Sequence, residues 1–118
     1  MREKKCDRML RELREKLGDK YRITHIDLER VLYRDFGNGF DVEISEVDTT
    51  NPKKKAVIYL WFEKNLIVEH FRNIPRGSIG DKVEELYRFT QKLIADGDNN
   101  YEALFHRKYP ELRREGCK

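Results

Sequence analysis

Long hydrophobic runs are missing from this chain: no apolar stretch approaches the ~18 residues that a membrane-spanning helix requires. Cysteine is scarce. Cys6 and Cys117 lie at opposite ends without CxxC spacing, which is ordinary cytosolic usage and leads us to expect a cytoplasmic protein. Glycine-rich phosphate loops are absent, since Gly77 and Gly80 fit neither GxxxxGK[ST] nor GxGxxG, and no G-x-S-x-G elbow occurs. The three histidines, His25, His70 and His106, have no metal-ligand spacing to one another or to the cysteines, so partly exposed histidines without a ligand role are the better reading. A cysteine nucleophile is equally poorly supported, because both cysteines lie near a terminus. A large charge of one sign is also lacking: 25 basic and 22 acidic residues leave a net +3. The start, Met1-Arg2-Glu3-Lys4-Lys5, runs into a charged stretch and not an apolar one, so no secretory signal is expected.

What remains is 118 residues, enough for one domain spanning residues 1–118. Charged residues are 40% and mean hydropathy is -0.87, yet 11% aromatics and clustered Val, Ile and Leu exclude wholesale disorder. Cys6, Met9, Leu10, Leu13 and Leu17 recur at helical spacing, predicting an amphipathic helix over 3–17 stopped by Gly18. Tyr21, Ile23, Ile26 and Leu28 look extended, and residues 28–36 read as a strand, with a short helix capped by Asp27 as the rival. The strand is preferred because Gly37-Asn38-Gly39 is a hairpin turn and Phe40-Asp41-Val42-Glu43-Ile44-Ser45 alternates after it. Ala56-Val57-Ile58-Tyr59-Leu60-Trp61-Phe62 is apolar on both faces and reads as a central strand, with a tight turn at 63–65 in which Asn65 is the expected positive-φ residue. Leu66-Ile67-Val68-Glu69-His70-Phe71 makes the next strand. A long helix over about 81–96, capped by Asp81 or Ser78, carries Val83, Leu86, Tyr87, Thr90, Leu93 and Ile94, and a short one covers about 100–108. The expected fold is α+β: a two-layer sandwich of an N-terminal helix, a four-stranded antiparallel meander over about 28–72, and one long and one short C-terminal helix.

Three groups of residues are candidates for function. Asp41, Glu43, Glu46 and Asp48 form an acidic cluster without an intervening base, offering an acidic strip to a basic partner or, less economically, a Mg²⁺ site at Asp41 and Glu43. A metal nuclease of the Asp…Glu-x-Lys kind would need a lysine two residues beyond the glutamate, and the hairpin lacks it. A solvated face of an edge hairpin is therefore preferred to a metal site, and no metal and no cofactor are expected. Basic residues Lys4, Lys5, Arg8 and Arg11 on the first helix, with Lys53, Lys54 and Lys55 in the loop, are candidates for binding phosphates. Residues 1–22 hold nine bases against five acids, but the acids interleave at helical pair spacing, as on a solvated helix surface. Strand alternation gives the sharpest signal. If Ile58, Leu60 and Phe62 face the helices, Tyr59 and Trp61 point the other way, where Tyr33 and Phe71 can join them as a contact surface. The competing expectation is that residues 101–112 fold across and bury that face.

The helix–strands–helix order is similar in outline to double-stranded-RNA-binding domains. Those domains have three strands and a lysine-rich start to the last helix, whereas residues 78–85 here are acidic on balance, so the phosphate clamp is missing. The RNA-recognition motif has a βαββαβ order that this chain does not follow. The run VLYRDFGNGFDVEIS at 31–45, followed by AVIYLW at 56–61, resembles small uncharacterised proteins of Gram-positive bacterial phages and mobile elements, the pool that includes anti-CRISPR inhibitors. That resemblance covers under half the chain and implies a protein-binding inhibitor whose partner is another protein, such as a nucleic-acid-handling effector complex. The expected function is accordingly a small non-enzymatic protein-binding module using Tyr33, Tyr59, Trp61 or the acidic cluster. Direct nucleic-acid binding is the alternative, and a metal-dependent nuclease the second alternative.

Overall fold

The amphipathic first segment folds as α1, Lys5–Leu17, with Leu10 and Leu13 buried. Gly18 closes it at φ 114°, its N–H donating to the Arg14 carbonyl at 3.0 Å. A computed structural model describes residues 3–64 and 66–112. Five strands follow, one more than the sequence predicts: β1 (Arg22–Ile26), β2 (Glu29–Asp35), β3 (Phe40–Ser45), β4 (Ala56–Phe62) and β5 (Leu66–Ile74). They lie side by side in chain order, every neighbour antiparallel. The additional strand, β1, pairs with β2 across a turn at Asp27 (φ 51°) and Leu28 (φ 63°). Two consecutive positive-φ residues give the tight turn that a twisted hairpin wants, but neither is glycine or asparagine, so the sequence conceals it. β3 is consequently the middle strand of the sheet, and the 40–45 segment is not part of an edge hairpin.

The predicted turn at 37–39 forms as expected. Gly37 and Gly39 take φ of 75° and 98°, and the Asp35 and Asn38 side chains accept from the N–H groups of Gly37 and Phe40. A Cβ on Gly39 would approach Phe62 to 3.3 Å. In the β4–β5 turn the positive-φ residues are Glu63 and Lys64, and the expectation for Asn65 lies outside the described residues.

After a 3-10 turn at Arg76–Ser78, α2 spans Ile79–Ala95, two residues earlier than predicted. Ser78 stands at its N-cap position but makes no side-chain capping bond. The C-terminus is a Schellman closure: Gly97 (φ 74°) donates to Ile94 and Asp98 donates to Leu93. Ile79, Val83, Leu86, Thr90 and Leu93 are buried, whereas Ile94, expected in the stripe, is exposed. α3, Tyr101–Lys108, lies on the same side of the sheet as α2. Tyr101 packs on Phe40 and Phe62, Phe105 on Phe89, and Tyr109 on Phe71. The helical side of the sheet thus holds the core, with Leu32, Phe40, Val42, Ile44, Ile58, Leu60 and Phe71 facing the helices. Residues 101–112 do not cross the second face.

Candidate functional site

Register fixes what the helix-free face displays. Arg22, Tyr33, Glu43, Tyr59 and His70 are successive cross-strand partners from β1 to β5. Beside them Asp35, Asp41, Trp61 and Ile67 form a second such line. Tyr59, Trp61 and Tyr33 therefore share this face as the alternation requires. Phe71 does not: it pairs with Ile58 on the core side, because register shifts in β5 against β4 change which residues oppose the outward positions.

Among the described residues no helix covers this face, yet Asp41 is only 3% exposed and Glu43 7%. The reason is curvature. Ile26 from the first edge strand and Ile67 from the last line one hollow of about 350 Å³ together with Asp27, Glu29, Glu43, Ser45, Glu46, Tyr59 and Trp61. The sheet is therefore curled into a trough whose floor is β3. An adjoining hollow of about 300 Å³, sharing Ile26 and Trp61, is lined by Arg22, Thr24, Tyr33, Asp41 and Lys64.

The floor carboxylates sit in an environment that disfavours their charge. Burial pushes Glu43 above the usual carboxylate range, opposed by the Trp61 indole N–H, which donates to Oε1 at 3.2 Å, and reinforced by Glu29, Asp27 and Asp41. Burial likewise raises Asp41, with the neighbouring Tyr33 hydroxyl acting in the opposite sense. Tyr33 is itself pushed well up, by burial first and then by Asp41. The two lobes differ in their cations. In the smaller one the Arg22 guanidinium lies 4.6 Å from the Tyr33 ring centroid, and Lys64 acts on Asp41. Among the described residues no lysine, arginine or histidine lines the larger one.

The four acids of the sequence cluster do not stay together. Asp41, Glu43 and Glu46 line the trough, whereas Asp48 turns toward α1. There Arg30 holds it through Nη2 at 2.7 Å and Nε at 3.0 Å while bonding Asp7 at 2.6 Å. Those bonds keep the Asp48 carboxyl below its ordinary range. Asp41 and Glu43 are buried, not the solvated pair expected of an edge hairpin. Among the described residues no group of three or more His, Cys, Asp or Glu converges in a way that would hold a metal ion.

The basic candidates are dispersed. On α1, Arg8 pairs with Glu12 at 3.5 Å, and Arg11 is held between Glu3 and Glu15, while Lys4 and Lys5 are exposed. Lys53, Lys54 and Lys55 line a shallow hollow with Arg72 and Val57 that no α1 residue reaches. The trough residues that sequence reasoning missed are Arg22, Thr24, Ile26, Asp27, Glu29, Ser45, Lys64 and Ile67. The first five belong to the β1–β2 hairpin, Ser45 ends β3, and the last two border a turn whose alternation a register shift disturbs.

Among the described residues no helix is long and apolar enough to cross a membrane. Comparison of the chain with family models, with curated proteins and with solved structures returns no match.

Proposed function

We propose that this chain is a non-enzymatic protein-binding module that docks a basic segment of another protein in the trough of its sheet. One observation carries the reading: a concave face that no described helix covers puts Tyr59 and Trp61 beside the buried Glu43, in a hollow lined by four carboxylates and, among the described residues, by no basic one, Lys54 meeting only the outer Glu46 at 4.0 Å. Burying an ionised carboxylate such as Glu43 without a cation costs stability, and such costs concentrate where a surface is kept for binding. Aromatic anchors are enriched at interface centres, and carboxylates beside them complement a basic partner. The same field repels phosphate, so the trough supports a protein partner over a nucleic acid. An inhibitor of a nucleic-acid-handling effector, the role that the phage-protein resemblance implies, would occupy a basic surface of its target in this way.

The test is a displayed peptide library selected on the wild-type protein and rescreened on Trp61→Ala. Enriched peptides should be rich in Lys and Arg, and should lose binding to the variant while its melting temperature holds. Enrichment that is indifferent to Trp61 would overturn the reading. So would binding to random-sequence duplex DNA or RNA that falls steeply with salt and depends on Lys53, Lys54 and Lys55, which would transfer the function to the basic loop.

A further inference from the structure

The two lobes of the trough are chemically alike but differently filled, and the difference identifies an occupant. In the smaller lobe the protein supplies its own cations: Arg22 stacks over Tyr33 in the hollow that Asp41 also lines, and Lys64 acts on the Asp41 carboxylate. The larger lobe repeats that arrangement one strand over, with a carboxylate, Glu43, between aromatic rings, and lacks the guanidinium. Among the described residues the one side-chain hydrogen bond that Glu43 accepts comes from Trp61 Nε1. Its second oxygen and the remaining lone pairs are thus open to a donor entering the hollow. Glu29 is engaged by the Glu46 backbone N–H at 2.7 Å, so it shapes the rim and leaves Glu43 as the deepest acceptor.

The geometry points to the larger lobe as a receptor for a single arginine side chain of the docked partner, its guanidinium forking to Glu43 and stacking on Trp61 and Tyr59. This deepens the docking reading above and rests on it. Arginine suits the site better than lysine for three reasons. Its planar group matches a carboxylate bidentately, it stacks on ring faces, and it sheds water more readily than an ammonium. Asp27, at the rim, adds attraction without needing contact, whereas Glu46 faces Lys54 at 4.0 Å.

Trp61 is the only tryptophan and lines both lobes, so its emission and its indole N–H resonance report on the trough, and the Glu43→Gln comparison assigns a response to the larger lobe. The experiment titrates the full chain with three capped tripeptides, Gly-Arg-Gly, Gly-Lys-Gly and the isosteric, uncharged Gly-citrulline-Gly. The arginine peptide should saturate both Trp61 signals with a Kd of roughly 1 mM, as befits one anchored side chain. Citrulline should bind at least about tenfold more weakly, and lysine severalfold more weakly than arginine. Glu43→Gln should abolish the preference for arginine over citrulline. Glu12→Gln, the same loss of charge on α1 across the sheet, should leave it intact. Equal binding of arginine and citrulline, a stronger response to lysine, or no saturation by any peptide would each overturn the arginine assignment. The library selection separates the two claims. If selected peptides still depend on Trp61 while the arginine tripeptide fails, docking stands and this occupant falls; if both fail, the trough reading falls with it.

Discussion

Replacing Glu43 by glutamine should make the fold more stable at neutral pH. The carboxylate is 7% exposed, accepts one side-chain bond, and is surrounded by the charges of Glu29, Asp27 and Asp41. Two effects oppose one another. A hydrogen bond to a charged group contributes about 1.5–3 kcal/mol against about 0.5–1.5 for a neutral one, so losing the charge weakens the Trp61 bond by about 1 kcal/mol. Desolvating an ion costs several kcal/mol even after relaxation. Burial is the leading influence on Glu43 and its proton is held more tightly than usual, so the penalty wins. Glutamine keeps the shape and an oxygen for the indole N–H. The net gain should be about 1 kcal/mol, near 4 °C in melting temperature for a chain of this length. The pH dependence follows in sign. A carboxylate whose folded pKa is raised is protonated first in the folded state, so the wild type loses stability as pH rises through that folded value. The advantage of glutamine should be full at pH 7 and disappear once pH falls below the unfolded value of about 4.3. Urea titrations at pH 7 and pH 3.5, followed by circular dichroism, measure it. A Glu43→Gln protein less stable by about 1 kcal/mol or more at pH 7, or a difference that ignores pH, would refute the reasoning and mean that the charge is compensated.

Leu60→Ala should cost about 2–5 kcal/mol in denaturant titration, since the side chain is 0% exposed on the core side of an interior strand. A loss below ~1 kcal/mol would mean that the faces of the sheet are assigned the wrong way round. Gly39→Ala should cost about 1–2 kcal/mol by the same assay, because φ is 98° and the new methyl meets Phe62; an unchanged midpoint would contradict this. Asp48→Asn should cost about 1 kcal/mol at pH 7 through the Arg30 bonds. Its folded pKa is lowered, so that contribution is present above the unfolded value of about 3.9 and vanishes as pH falls through the folded one. A penalty that persists at pH 2 would exclude the ionic explanation. Leu28→Gly should be neutral or stabilising by up to about 1 kcal/mol, because a 107% exposed leucine at φ 63° packs on nothing and strains the turn. A clear destabilisation would show that the side chain has a contact.

The chemistry of individual residues explains which parts of this fold were legible in the sequence. α1 was readable because its leucines repeat at helical spacing, and β2–β3 because two glycines flank Asn38 in the turn. The alternation of 40–45 and 56–62 assigned Trp61 and Tyr59 to one face and Leu60 to the other, without any knowledge of the partner strands. The extended character of Ile23 and Ile26 was readable, but β1 was not separable as a strand because Arg22-Ile23-Thr24-His25-Ile26 is short and half polar, and because Asp27-Leu28 makes a glycine turn without a glycine. With β1 unseen, the 40–45 strand looked like part of an edge, and its acids looked solvated. Their burial depends on Ile26 and Ile67 closing from the two ends of the sheet, a curvature that no local pattern records. Asp48 was misgrouped for a similar reason, since its partner Arg30 is 18 residues away.

Chain order and spatial order coincide in the sheet, and this bears on how the molecule assembles. Each strand finds its partner across a single turn or loop, the longest being residues 46–55, so every pairing closes a short loop at little entropic cost. Hairpins of this kind form in about 1–10 μs, and four in succession can zip without waiting for distant segments. Relative contact order is kept low for a sheet protein, and folding in the millisecond range follows. The step with the largest sequence separation is the docking of residues 79–112 onto a sheet that begins at residue 22. Until that happens the apolar face of the sheet has only α1 to cover it, and the trough, which needs only the curl of the sheet, is the first surface to take its final form.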